Sequence, residues 1–341
     1  GTVSDVGLMK DENRYLTQRG IQAIKSENIL GIDALIRVSG INKKRLSSED
    51  LSFGIIPRLN VAGRLQHAEL SLDLLLTEND SQALSLAEKL NVLNKTRQTL
   101  TDKAIRQARL QVAKSVRENG NNMPPMIFVG HKSWSPGILG LIAARLVEEF
   151  YRPTVAVSGS QEIYRASARS IPDFNMIEAF KKCDKIFEKY GGHSMAAGFT
   201  IKSENLRQFR ENLTTLAETN VTEESFGSVL DIEQEISPTW LNQESISFLN
   251  SLEPFGQGNP TPTFLSRGMS VLGAKTVGKD KTHLKLTLEK NDYVYDAIAF
   301  RQGQSLNTAR GIVDIAYTAG MNYWNGKETM QLTVQDFKRS D

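Results

Sequence analysis

Four stretches combine arginine, glycine, serine and histidine in ways that suit a phosphate. In FGIIPRLNVAGRL (53–65), Arg58 and Arg64 stand either side of Asn60 and Gly63. A planar guanidinium fork can bind two phosphate oxygens at once. Two surface arginines near a helix end are the plain alternative. In WSPGILGLIAARL (134–146), Gly137 and Gly140 open a helix. Free N–H groups and the positive dipole end make an anion site easy there, although small residues also serve helix-on-sheet packing. In RASARS (165–170), extended backbone puts Ser167 and Arg169 on one face, a hydroxyl beside a guanidinium; an alternating polar edge strand would look the same. In KYGGHSMAAGFT (189–200), His193 follows Gly191 and Gly192. It can donate to a phosphate or leaving oxygen, or it can mark a tight packing corner. With no adjacent carboxylate to complete a dyad, an assisting role fits better than leading acid-base work.

Other chemistries are thinly represented. The four histidines, His67, His131, His193 and His283, have no metal-ligand spacing, and Asp5 alone cannot hold a cation. The single cysteine, Cys183, excludes a disulfide framework and a thiolate zinc cluster, fits a reducing, cytoplasmic setting, and reads as core. GQGNP (256–260) lacks the Lys-Ser/Thr ending of a P-loop. The net charge of +2 predicts no polyanion partner by itself, so any nucleic-acid site must arise from local clustering. No apolar run reaches the roughly 18 residues of a membrane span, and no signal peptide is visible.

These stretches need elements to position them. A chain of 341 residues with 40% apolar content can bury two or three cores. The opening GTVSDVGLMKDENRYLTQRG, without an initiator Met, reads as the interior of a larger domain. Residues 1–76 pattern as mainly helical. Residues 79–118 form one long helical pattern with Ala83, Leu86, Ala87, Leu90, Leu93, Leu100, Ala104, Ala108, Val112 and Val116 on its apolar stripe. Lys103, Arg106 and Arg109 read as its solvated face. After the breaker ENGNNMPP come strand 126–130, helix 135–150 with Pro136 at its first position, and strand RPTVAVSG. Then follow the extended RASARS, helix 174–189, strand 198–202 and helix 203–218. From about residue 226 the period shortens. SVLDIEQEI, MSVLGAKTV, HLKLTLE, YVYDAIAF, IVDIAYTAG and TMQLTVQDF are short strands of a small sandwich or barrel, an OB-type barrel among the options. Between Arg267 and Arg310, eight Lys/Arg face four Asp/Glu. Tyr293, Tyr295, Phe300, Tyr323 and Trp324 lie among or near them. A basic groove with stacking aromatics suits single strands, and core aromatics on strands are the alternative.

Taken together, GTVSDV, PRLNVAGRL, WSPGILGLIAARLVEEFYRPTVAVS, ASARSIPDFNMIEAF, KYGGHSMAAGFTI and LEPFGQGNPTPTF occur in an order and spacing that resembles the C-terminal part of the RecJ family. These are single-strand-specific 5′→3′ DNA exonucleases of the DHH phosphoesterase superfamily. The resemblance implies α/β plus β architecture. Residues 1–76 would be the tail of the DHH catalytic domain, 77–122 the long connecting helix, 123–222 a DHH-associated α/β domain with a mixed sheet, and 223–341 an OB-fold domain.

Residue roles follow by the same resemblance. Asp5 matches a metal-binding aspartate of a two-cation Mn²⁺ or Mg²⁺ site whose other ligands, with the Asp-His-His triplet, are missing from this chain. Ser167 and Arg169 match a GSGRS-like segment that binds the 5′-phosphate end. Arg58 and Arg64 match arginines along the DNA path, and His193 with Gly191 and Gly192 matches the glycine-glycine-histidine motif facing the catalytic cleft. One departure is Ser135, where the family often has histidine. The resemblance implies a repair and recombination exonuclease, this chain inactive alone, with single-stranded DNA as substrate. Single-strand-binding protein and a RecQ-type helicase are the implied partners. A nanoRNA or cyclic-dinucleotide phosphodiesterase of the same superfamily, and a non-catalytic DNA-binding module, are the other two readings.

Overall fold

The computed structural model describes residues 1–4, 7–159, 162–221, 224–227, 229–278, 280–324 and 327–340. The chain divides into two compact units. One gathers residues 1–27, 44–52 and 230–341, and the other residues 28–43 and 53–229.

The first part is helical: α1 (Asp11–Ser26), α2 (Leu30–Ser39), the single turn α3 (Ser48–Asp50), α4 (Ile56–Leu65), α5 (Glu69–Leu76) and the 39-residue α6 (Asp80–Glu118). Pro57 sits in the first turn of α4, where its missing N–H removes no helical bond. The long helix starts cleanly because the Asn79 side chain accepts from the Gln82 N–H at 3.0 Å. Neither Pro nor Gly interrupts it before Gly120, and at 1.5 Å per residue it extends for roughly 60 Å.

The buried stripe of α6 differs from the expected one in its middle. Ala83, Leu86, Ala87 and Leu90 are buried at one end, and Ala104, Ile105, Ala108 and Val112 at the other. Between them Leu100 is exposed, and the buried position falls instead on Asn94, which is only 3% accessible. Apolar periodicity favours the nearest leucines, but the helix phase set by Leu90 and Ala104 turns Leu100 outward. The face of Asn94 continues through Arg97 and Thr101.

A five-stranded sheet follows: β1 (Ile127–Gly130), β2 (Thr154–Gly159), β3 (Ile163–Arg169), β4 (Phe187–Gly192) and β5 (Ala196–Lys202), in the order β1-β2-β3-β5-β4. Only β1 and β2 are parallel, and α7 (Leu139–Phe150) makes their crossover. On one face Ile138, Ile142 and Leu146 pack with Trp134 and with Ala104, Ala108 and Val112 of α6. The other face carries Val155, Val157 and Ala168 under α8 (Met176–Lys181) and α9 (Ser203–Asn220). There Phe180, Phe187, Phe199 and Phe209 form an edge-on aromatic cluster. This cluster ends the helix expected over 174–189 early. Phe187 and Tyr190 join the aromatic core by pairing along β5, so residues 187–192 are strand.

In the other unit, α10 (Gln243–Ser251) is capped by Asn242, whose side chain accepts from the Ser245 N–H. The barrel strands are β7 (Phe264–Val277), β8 (His283–Lys290), β9 (Tyr293–Ala299), β10 (Ile312–Trp324) and β11 (Lys327–Arg339). Their order is β10-β11-β9-β8-β7, with β7 also pairing β10 to close the ring. β9 and β11 run parallel and the other pairs antiparallel, the connectivity of a closed five-stranded OB barrel. Leu284, Leu286 and Leu288 alternate inward with Leu332, Val334 and Tyr317. The strand expected in SVLDIEQEI reduces to the two-residue β6 (Gln234–Glu235) beside β7. Residues 1–27, which the sequence groups with 53–76, fold with this unit: the Met9 N–H donates to the Gln257 carbonyl and Arg14 Nη2 to the Leu252 carbonyl.

Candidate nucleic-acid interface

The site is assembled where the C-terminal end of α4 meets the turn that begins α7. Gly137 lies so close to Arg64 that a Cβ there would stand 1.9 Å from the Arg64 carbonyl oxygen. Only glycine permits that approach. Arg64 Nη1 donates back to the Gly137 carbonyl at 3.3 Å. One turn further, a Cβ on Gly140 would meet Arg169 Nη2 at 3.0 Å and Ser167 Oγ at 3.2 Å. The two glycines therefore set Arg64, Ser167 and Arg169 around one helix start. Ser167 and Arg169 share a face because they are two apart on β3. Arg169 Nη1 donates to Ser167 Oγ at 3.1 Å and to the Ala168 carbonyl at 2.8 Å. Ser135 precedes this turn without making a side-chain cap bond.

Arg58, a turn and a half before Arg64 on α4, donates through Nε to Asn91 Oδ1 at 3.0 Å and through Nη1 to the Gly54 carbonyl at 2.6 Å. A fourth guanidinium, Arg97 of α6, joins the group. Burial pushes Arg97 below the ordinary guanidinium range; the charge of Arg64 adds to this, Asp102 opposes it, and Arg58 adds again. Burial also depresses Arg58 and Arg64, and burial with the charge of Arg64 depresses Arg169. None of the four is in an ion pair among the described residues. Half-buried like charges without an ion-pair partner cost stability until an anion neutralises them. Such an arrangement selects for phosphates.

Reading residue types alone misses Arg97, Asn94 and Thr101. Their signal in the sequence is the polar break in the apolar stripe of α6. The Arg97 Nε, Asn94 Oδ1 and Thr101 Oγ1 atoms are all shielded from solvent and have no hydrogen-bond partner.

His193 lies exposed in the turn between β4 and β5, where its N–H donates to the Ala196 carbonyl at 2.8 Å. Ala196 pairs in turn with Arg169 across β3 and β5. Two strand spacings separate the histidine from that arginine, roughly 10 Å. The two glycines differ. Gly192 has φ +146° and a Cβ there would meet the Ala196 carbonyl oxygen at 2.4 Å, whereas Gly191 faces open space. Gly192 is a packing requirement of the turn, and Gly191 leaves its strand uncovered. Asp5 lies outside the described residues. Among the described residues no three His, Cys, Asp or Glu side chains converge as a metal site. They do not supply a ligand set for a divalent cation.

On the barrel, the candidate aromatics separate. Tyr293 is 62% and Phe300 55% exposed, whereas Tyr295 is a core residue. Tyr323 lies under the Arg45 guanidinium at 4.7 Å. The Trp324 side chain lies outside the described residues. Part of the basic excess is satisfied within the barrel unit. Arg267 pairs with Glu235 and Asp314, and Lys285 with Asp296. Lys290 donates to the carbonyls of Arg267 and Gly268.

The architecture is thus a layered α/β domain bearing an arginine cluster, followed in the chain by an OB barrel. Residues 123–219 match the DHHA1 domain and residues 232–336 the RecJ OB domain. The single-stranded-DNA-specific exonuclease RecJ of Bacillus subtilis is 33% identical over 98% of this chain and 43% of its own length. RecJ of Escherichia coli is 30% identical over 98% of this chain and 59% of its own. The crystal structure of Thermus thermophilus RecJ in complex with Mg²⁺ superposes with a TM-score of 0.84 at 27% identity, covering all of this chain and 51% of that one. A RecJ bound to manganese gives 0.53 at 28% identity over 64% of this chain and 52% of that one. Over nearly its whole length the chain is similar to RecJ proteins, and it spans about half the length of the relatives it matches. No helix among the described residues is long and apolar enough to cross a membrane.

Proposed function

We propose that this chain is the strand-gripping part of a divalent-metal-dependent, single-stranded-DNA-specific 5′→3′ exonuclease acting in repair and recombination. The observation that carries the reading is the cluster of Arg58, Arg64, Arg97 and Arg169, half-buried and without a carboxylate partner. In this reading Ser167 and Arg169 take the 5′-phosphate at the start of α7, where the helix dipole adds to their charge. Arg58 and Arg64 continue the path along α4. His193, exposed at the neighbouring turn, faces the cleft as an assisting group. The barrel carries Tyr293 and Phe300 as exposed stacking surfaces of its own. Metal chemistry belongs to the whole enzyme, so the 341-residue chain binds strands and does not cleave them.

The test is binding of a single-stranded oligonucleotide by the chain across a salt series. Four phosphate contacts give a slope of log K against log salt of about −3, from roughly 0.7 per contact on single strands. Salt-independent affinity would sink the reading. Degradation of the strand by the pure chain with Mn²⁺ would overturn the claim of inactivity.

A further inference from the structure

The sheet of the α/β domain is open along β1, which lies at its edge with β2 on one side only. The Ile127 N–H donates to the Pro153 carbonyl and the His131 N–H to the Val157 carbonyl, so the odd-numbered residues bond toward β2. By strand alternation, Phe128 and Gly130 turn their N–H and carbonyl groups outward. Gly130 is covered. Gln111 of α6 accepts from its N–H at 3.0 Å and donates to its carbonyl at 3.1 Å, a side-chain amide standing in for a neighbouring strand. The Phe128 N–H and carbonyl have no partner among the described residues. Two residues along β1 span about 6.6 Å and four along α6 about 6 Å. The residue of α6 level with Phe128 is therefore Ser115, and the two line the same opening. Serine is too short to repeat there what Gln111 does at Gly130.

That opening, about 230 Å³, has Val112, Ser115 and Glu118 of α6 on one side and Arg210 of α9 on the other. The two helices cover opposite faces of the sheet, so it prolongs the plane of the sheet outward between them. Its charges are unequally met. Glu118 pairs with Lys114, and Arg207 of α9 with Glu211. Arg210 stands over the Phe128 ring at 5.7 Å and is in no ion pair among the described residues. We propose that β1 accepts an additional strand here, an extended segment of a partner protein with an apolar–acidic–apolar sequence. Its central residue pairs antiparallel with Phe128 and exchanges both backbone hydrogen bonds with it. Directly opposed side chains share a face, so the acidic one lies on the Phe128 side, toward Arg210. Its apolar neighbours turn to the α6 side, toward Val112. The seat is independent of the proposed strand grip: it lies at the start of β1, whereas the arginine corner lies beyond its end.

The experiment titrates the 341-residue chain with the end-blocked peptide Thr-Val-Glu-Val-Thr, with the same peptide N-methylated at its glutamate, and with lysine in place of that glutamate. Affinity is read by calorimetry and the edge itself by hydrogen exchange at the Phe128 amide. The unmodified peptide should slow that exchange. N-methylation should weaken binding about tenfold, the scale of one lost backbone hydrogen bond whose partner is left unpaired. Lysine should weaken it by about threefold, the scale of an exposed charge pair. Ser115→Gln supplies the missing amide from within the chain. It should slow exchange at Phe128 without any peptide and weaken the unmodified peptide about tenfold, with an unchanged melting temperature to show an intact fold. Arg210→Gln should erase the preference for glutamate over lysine and keep the sensitivity to N-methylation. Equal binding of the N-methylated peptide overturns the proposal, as does unprotected exchange at Phe128 with the unmodified peptide at millimolar concentration. Self-association of the chain that Ser115→Gln abolishes overturns it too, by giving this edge to a second copy.

Discussion

The α4–α7 corner and the barrel are both rich in basic side chains, yet they use them differently. In the barrel, Arg267 and Lys285 have carboxylate partners and Lys290 is held by backbone carbonyls. In the corner, four guanidiniums share a partly buried space; Arg58, Arg64 and Arg169 donate to neutral acceptors, and Arg97 feels the charge of Asp102 without an ion pair. A local excess of lysine and arginine therefore says little until the partners are known. Charges that folding leaves uncompensated are the better guide to where an anion belongs.

The strongest way to break this contrast is to remove charge from each region. Arg64→Gln with Arg169→Gln should cost about 3–4 kcal/mol of strand affinity, near 2 for each charged contact. It should also flatten the salt slope by about 1.4, at roughly 0.7 per lost contact. Lys285→Gln should change affinity by less than about 1 kcal/mol, because an exposed paired charge contributes little. Fluorescence anisotropy at several salt concentrations measures both. Equal losses from the two regions would erase the distinction.

A second contrast lies in pH. Tyr317, fully buried in the barrel, has its phenol pushed up to about 12 by burial, partly offset by its hydrogen bond with Ser266. The unfolded chain ionises near 10, so above that pH it binds fewer protons than the folded one. The stabilising effect is complete below pH 10 and declines as pH rises to 12, by about 2–3 kcal/mol. Urea melts across that range should show the decline, and Tyr317→Phe should remove that component. An alkaline decline unchanged by Tyr317→Phe would clear this residue.

The smallest effect is expected at the exposed turn. His193→Ala should alter stability by less than about 0.5 kcal/mol, read by thermal denaturation. A loss above about 2 kcal/mol would make the histidine a packing residue like Gly192.

Much of this layout is legible in the residues. The long helix is written in unbroken periodicity, and five of the barrel strands in short alternating runs. Arg58, Arg64, Ser167 and Arg169 stand out by type. That Arg64 and Arg169 meet at one helix start is tertiary information, carried by the close approaches at Gly137 and Gly140. Arg97 escapes notice because Leu93 and Leu100 offer a more conventional apolar stripe. The difference is one of helical phase, which only packing decides. Residues 187–189 read as a helix end because Phe187 and Tyr190, three apart, fit the helical period; a bulge between Phe187 and Lys189 lets both join the aromatic core from a strand.

The first 27 residues and the last 112 share one compact unit, tied by Met9 to Gln257 and Arg14 to Leu252. For a chain made in order on a ribosome, this reverses the usual schedule. Residues 1–27 leave the ribosome long before their contacts do, because residues 28–229 intervene. Strand β11, at the far end, must also emerge before it can fill the gap between β9 and β10. Until then the nascent protein exposes an unpaired strand edge and an unanchored amphipathic helix. Its window of vulnerability to aggregation is set by the time needed to translate the stretch from α1 to β11.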